Sequence, residues 1–143
     1  MLMAYPANLK RQKDGNVLVT FPDIPEALTE GKSAPEALRE AQDALLAALG
    51  GYINKRRAIP EASKLKRGQR LVLLPPLPAA KLALYQAMRD AGLTNVALGK
   101  RLKISEAAVR RLIDPDHRSH IGQIERALAV LGRRLVIEAE KAA

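Results

Sequence analysis

The 143-residue sequence has no cysteine and no tryptophan. Without cysteine there is no disulfide, no thiolate-ligated zinc and no thiol nucleophile. Aromatic residues amount to 3%, namely Phe21, Tyr5, Tyr52 and Tyr85, too few for a platform on which single-stranded bases would stack. Long apolar runs are missing as well: none approaches the roughly 18 residues needed to cross a bilayer, so no membrane partner is expected. The opening MLMAYPANLK has no basic stretch ahead of its apolar residues. No secretory signal is therefore expected, and the expected location is the cytoplasm.

Positive charge is what the sequence has in excess. Lysine and arginine number 24 against 15 acidic residues, a net charge of +9, which favours a polyanion as partner. Apolar residues make up 48% of the chain, enough for packed cores in one ordinary domain or two small ones. The sharpest shift in composition is Pro75-Pro76-Leu77-Pro78. Three prolines in four residues are expected to break both helix and central strand, so we expect a domain over 1–74, a linker at 75–78 and a second domain over 79–143. The two sides carry +4 and +5, and total charge does not distinguish them.

The first segment predicts a hairpin from Met3 to Phe21, with Asp14-Gly15 as the turn, because Gly accepts the positive φ of a primed turn. Ser33-Ala34-Pro35-Glu36 has the form of a capping box, Ser33 capping the helix and Glu36 reaching back to it. Leu38, Ala41, Leu45, Ala48 and Leu49 then make one apolar stripe, ended by Gly50-Gly51. A basic connector follows, Lys55-Arg56-Arg57 to Lys64-Leu65-Lys66-Arg67, and Gln69 to Leu74 reads as a strand. The expected fold class is α+β: a sheet of three or four strands with one helix, followed by an all-α domain.

In that second domain Ala79 to Ala91 predicts a helix closed by Gly92, and Ile121, Ile124, Leu128 and Leu131 predict another closed by Gly132. Between them, residues 94–113 carry the spacing of a helix-turn-helix. Leu98, Leu102, Ile104, Val109 and Leu112 are the inward apolar set, and Gly99 is the small residue where the two backbones approach. Thr94 and Ser105 are the two caps. Lys103 falls where such turns favour a left-handed backbone, a mild strain for lysine. With that set inward, Glu106, Ala107, Arg110 and Arg111 turn outward on the face that would enter a major groove. Arg matches the paired acceptors of guanine, Ser105 and Glu106 suit base edges or a phosphate, and Ala107 suits a thymine methyl. Lys100, Arg101 and Lys103 suit phosphates, and Thr94 and Asn95 complete the expected DNA-contacting set at the first helix. The plainer alternative is a solvated, charged helical hairpin.

Arg118 and Ser119, ahead of the last helix, are expected to help hold a phosphate at its N-terminus. His117 and His120 do not suffice for a metal site, and no cofactor is expected. Leu135-Val136-Ile137 is apolar and β-branched enough for a short strand. Lacking a partner in sequence, it is expected to pair across a symmetric dimer.

Tyr5-Pro6-Ala7, Gly15, the phrase FPDIPEALTEG over 21–31, Glu36-Ala37 and Ile59-Pro60-Glu61-Ala62-Ser63 resemble the HicB family of antitoxins. Leu102 to Ile113, with Asp114-Pro115 and Ala127-Leu128-Ala129-Val130-Leu131-Gly132, resembles the helix-turn-helix branch of that family. The resemblance implies an N-terminal domain of partial ribonuclease-H-like fold that covers a HicA-type toxin, a small basic RNase. It implies a C-terminal domain that represses the shared operon; because most helix-turn-helix repressors read palindromes as dimers, the expected partner is palindromic double-stranded operator DNA and the expected state a homodimer or higher even oligomer. It places Phe21, Pro22, Asp23, Pro25, Glu26 and Glu30 on the toxin-facing side, the acids meeting a basic partner.

Two other functions are open to the sequence. An enzyme reading would have Asp23, Glu26, Glu30 and Glu36 bind two Mg²⁺ ions, but these acids lie on one loop and a helix start rather than converging from strands, so no catalytic residue is expected. The alternative to an antitoxin is a one-component helix-turn-helix regulator whose N-terminal domain senses a ligand.

Overall fold

The computed structural model describes residues 3–142. The chain divides into two compact units, one ending at Leu74 and the other beginning at Pro75.

The first unit is a four-stranded antiparallel sheet with one helix. Its strands are β1 (Ala4–Arg11), β2 (Val17–Thr20), β3 (Leu28–Gly31) and β4 (Arg70–Leu73), with α1 (Ala34–Asn54) between β3 and β4. The spatial order is β3-β2-β1-β4, so the first strand is central and pairs with the last, Tyr5 opposite Val72. Tyr5, Ala7, Val17, Val19 and Val72 are buried beside Ala37, Ala41, Leu45 and Leu49 of α1. The small alanines of the helix let it lie close to the sheet.

The β1–β2 connection is longer than a primed two-residue turn. Gln12 donates to the Asn16 carbonyl, Gly15 to that of Gln12, and Asp14 Oδ1 accepts from the Asn16 amide at 2.9 Å. Gly15 takes a positive φ of 89°, but Asp14 does not; its side chain supplies the turn's extra bond instead. β3 falls before the helix, where sequence patterning shows no strand, and it is held by pairing with β2, Val19 opposite Thr29. Ser33 caps α1, accepting from Glu36 N at 3.3 Å, while the Glu36 carboxylate reaches one residue further back, to the amide of Lys32. Gly50-Gly51 does not end α1. Two helical glycines cost about 1 kcal/mol each relative to alanine, and the continuation buries Tyr52 and Ile53 beyond them.

The second unit holds four helices, α2 (Pro76–Ala91), α3 (Asn95–Leu102), α4 (Glu106–Ile113) and α5 (Ile121–Val130). Residues 76–78, expected as linker, are the first turn of α2. Amides in a first helical turn have no intrahelical acceptor, so prolines there forfeit no bond, and Pro76 is pre-set for the first helical position. Gly92 closes α2 in the left-handed conformation, φ 67°. Within the single chain residues 133–142 carry no helix or strand, and Val136 and Ile137 are exposed, so the segment expected to pair across a dimer has no partner strand of its own. An apolar, β-branched triplet has no ladder to join without a partner strand.

Candidate functional site

α3 and α4 are joined by residues 103–105, of which one is left-handed. Lys103 sits at φ 58°, ψ 42°, and reverses the chain so that Ile104 N donates to the Gly99 carbonyl at 2.9 Å. A Cβ on Gly99 would lie 2.7 Å from the Ile104 carbonyl oxygen, so the small residue is required by this close approach. Thr94 Oγ1 accepts from Ala97 N at 3.1 Å and Ser105 Oγ from Ala108 N at 3.0 Å, capping the two helices. Leu98, Val109 and Leu112 are buried and Leu102 half-buried. Ile104, expected inward, is 38% exposed, because it sits at the turn itself.

On the outer side, Lys100, Arg101, Lys103, Ser105, Arg110, Arg111 and Arg118 are exposed and Ala107 is half-exposed. Besides the two capping hydroxyls, several of the expected DNA-contacting side chains bond within the unit. Asn95 is 4% exposed, a correction to its expected place on the surface; its Nδ2 donates to Glu106 Oε1 at 3.4 Å. Glu106 Oε2 accepts from Arg110 Nη2 at 2.9 Å. Ser119 Oγ accepts from Lys81 Nζ at 2.7 Å, and the same ammonium donates to the Arg111 carbonyl at 2.7 Å. Lys81 was not singled out in the sequence, where it falls within a helix as an ordinary charged residue. Burial lowers its pKa, a shift opposed by the charge of Asp114.

Ahead of β3, residues 21–27 of the first unit fold as two successive turns, Ile24 N donating to Phe21 O and Ala27 N to Ile24 O. Phe21, expected to face a partner, is 2% exposed and packs in the core with Ile24 and Ala27. Its size and apolarity are used inward, whereas Pro22, Pro25 and Glu30 are exposed. Two of the expected acids serve the fold. Asp23 Oδ2 accepts from both the amide and the hydroxyl of Ser63, at 2.9 and 3.0 Å. Glu26 Oε2 accepts from Tyr52 Oη at 2.8 Å, and Arg57 lies 3.5 Å from its other oxygen and 4.4 Å from the Tyr52 ring centroid. The bond from Tyr52, a backbone bond and Arg57 hold Glu26 below the usual carboxylate range, and the same bond to Glu26 pushes Tyr52 up. Beside them Tyr5 Oη donates to the Pro60 carbonyl at 2.8 Å. Burial first, then the nearby charges of Asp23 and Tyr52, push its pKa up to about 12.

These bonds fasten the 55–63 segment, so the IP.AS phrase is bound to the FPDIPEALTEG phrase by Asp23 and Ser63. Among the described residues no group of three or more His, Cys, Asp or Glu side chains is placed to hold a metal ion. None of the described helices is long and apolar enough to cross a membrane.

Residues 4–83 match the model of the family described as HicB_like antitoxin of bacterial toxin-antitoxin system. The chain belongs to that antitoxin family. Antitoxin HicB 1 of Photorhabdus laumondii is 34% identical over 138 residues, spanning 96% of this chain and 88% of that protein. Antitoxin HicB of Pseudomonas fluorescens is 37% identical over 132 residues, 92% of this chain and 90% of the other. The crystal structure of the N-terminal domain of Burkholderia pseudomallei antitoxin HicB matches with a TM-score of 0.44 and 18% identity, over 51% of this chain and 96% of that one. Membership of the HicB-like family makes this chain an antitoxin, a regulatory class whose partner is a toxin, and the curated relatives extend the likeness through the helix-turn-helix.

Proposed function

We propose that this HicB-like antitoxin neutralises a HicA-type RNase through its first unit and represses its own operon through α3 and α4. The observation that carries the DNA half is the α3–α4 pair itself: two capped helices, a left-handed Lys103 between them, and Arg110 and Arg111 exposed on the second. In this reading α4 enters the major groove, Arg110 and Arg111 meeting base edges with Ser105 and Ala107 beside them. Lys100, Arg101, Lys103 and Arg118 contact phosphates and provide most of the salt-dependent affinity. Ser119 takes part through the backbone it fixes, since its hydroxyl both accepts and donates within the unit, whereas the capping hydroxyls of Thr94 and Ser105 only accept and keep a proton for DNA.

The toxin half is supported by the family match over 4–83, which contains the whole first unit from β1 onward. Pro22, Pro25 and Glu30, with the outward edges of Asp23 and Glu26, form the toxin-facing side, and inhibition is steric. The protein acts as a dimer whose two α4 helices lie about 34 Å apart on successive major grooves of a palindrome. The unpaired 135–137 segment is the proposed site of pairing between copies, and the setting is the cytoplasm.

Co-expression with the product of the adjacent short basic reading frame tests both halves in one strain. The wild-type chain is expected to relieve growth arrest and silence a reporter driven by its own promoter. Arg110→Ala with Arg111→Ala is expected to lose silencing and keep relief. A chain that relieves nothing removes the toxin half, and silencing that survives the double substitution removes α4 as the reading helix.

A further inference from the structure

α4 presents one acid among the five basic residues of the 94–113 segment, an unfavourable charge to carry toward a phosphate backbone. That acid is not loose. Arg110 donates to one oxygen of Glu106 at 2.9 Å, and the other accepts at 3.4 Å from Asn95, a side chain only 4% exposed on the opposite helix. An exposed carboxylate–arginine pair one helical turn apart is ordinarily weakly held. Here the carboxylate also has a long contact from a buried amide behind it, and the other polar atom of that amide, Asn95 Oδ1, has no partner among the described residues.

We propose that Glu106 is a positioning residue for Arg110. It holds the guanidinium in one orientation, leaving the remaining N–H donors to meet the paired acceptors of a guanine, and Asn95 fixes Glu106. The arrangement has two consequences. Arg110 gives up less side-chain freedom on binding, and the negative charge beside it penalises duplexes in which Arg110 finds only phosphate, so discrimination rises at the expense of indiscriminate affinity. This inference rests on the operator-binding reading above and assigns Glu106 a role other than direct base contact.

The test is a double-mutant cycle on the full-length protein, with two probes: duplexes tiling the promoter upstream of its own reading frame, and a random-sequence duplex of equal length. Arg110→Ala is expected to weaken operator binding roughly 5- to 150-fold. Glu106→Ala is expected to weaken the operator complex, strengthen the random-duplex complex and relax the preference for guanine at one base pair. In the Arg110→Ala background the operator loss should vanish, a coupling of at least about threefold. Glu106→Gln keeps the side-chain length and the contact with Asn95, so the same coupling is read in a variant that preserves the packing. Equal losses from Glu106→Ala in both backgrounds would mean that Glu106 contacts a base itself, and equal gains on both duplexes would mean a solvated ion pair; either overturns the proposal. Failure of the wild-type chain to bind any promoter duplex would overturn the repressor reading as well, an outcome distinct from the other two.

Discussion

The ammonium of Lys81 lies fully buried against the end of α4, 2.7 Å from the carbonyl oxygen of Arg111. A cation at a helix C-terminus meets carbonyls that have no intrahelical donor and the negative end of the helix dipole. With its second bond, to Ser119, this one side chain ties α2 to the end of α4 and to the segment leading into α5. Replacing Lys81 with alanine leaves a cavity and removes two buried bonds, at an expected cost of about 2–4 kcal/mol. Lys81→Met, which keeps the stem and sheds the buried charge, should cost less. A Lys81→Ala protein that melts with the wild type would show that the buried bonds contribute nothing net.

Burial lowers the pKa of Lys81, so at alkaline pH the unfolded chain holds a proton that the folded chain has released. Stability from this group therefore rises with pH between its folded value and the ordinary 10.5. Urea unfolding at stepped pH should show that rise in the wild type and its absence in Lys81→Met; an identical pH dependence in both would contradict it.

Tyr5 works in the opposite sense. Its folded pKa of about 12 exceeds the ordinary 10.0, so its contribution is complete below pH 10 and is lost as the pH climbs toward 12. The phenolate has no proton to give the Pro60 carbonyl. Tyr5→Phe should be less stable than wild type near neutrality by about 0.5–1.5 kcal/mol and should lose less on going to pH 12. A steeper alkaline loss in the variant would argue against this account.

Gly99→Ala should be among the most damaging single changes, because its Cβ would lie 2.7 Å from backbone rather than from a side chain able to swing away. We expect a loss of about 1–3 kcal/mol, measured by thermal unfolding, with weakened promoter binding. Wild-type stability in this variant would mean that the α3–α4 turn opens at little cost.

Lys103→Gly should move stability the other way. A left-handed backbone costs a non-glycine residue about 1–2 kcal/mol, and glycine's greater freedom in the unfolded chain returns part of that, for a net gain of about 0.5 kcal/mol. The same change removes one proposed phosphate contact, so the salt slope of DNA binding should fall by about one. A lower melting temperature would refute the strain, and an unchanged salt slope would refute the contact.

The features legible in the sequence are those fixed by local chemistry. Ser33, Thr94 and Ser105 cap because a hydroxyl just ahead of an apolar-periodic run has few other uses, and Gly99 and Lys103 follow from the geometry of two helices joined by a short turn. What escaped depends on partners distant in sequence. Leu28–Gly31 has no strand pattern of its own and is a strand only because β2 lies beside it. Gly50-Gly51 resembles a helix stop until Tyr52 is seen to reach Glu26. Asp23, Glu26 and Asn95 have the chemistry of surface ligands, and only the fold shows that Ser63, Tyr52 and Glu106 occupy them. Leu135–Ile137 is the complementary case, strand propensity with no neighbouring strand in its own chain.

The pairing of β1 with β4 places Ala4 opposite Leu73, so the sheet joins the two ends of its unit. While the chain is being made, one side of β1 stays bare until residue 73 has been added, and its amides and carbonyls remain open to any extended peptide in reach. A nascent chain interrupted within the basic connector would keep that bare edge permanently. Synthesis through β4 is thus a condition for β1 to be paired along both of its sides, the free edges of the finished sheet falling to β3 and β4 instead.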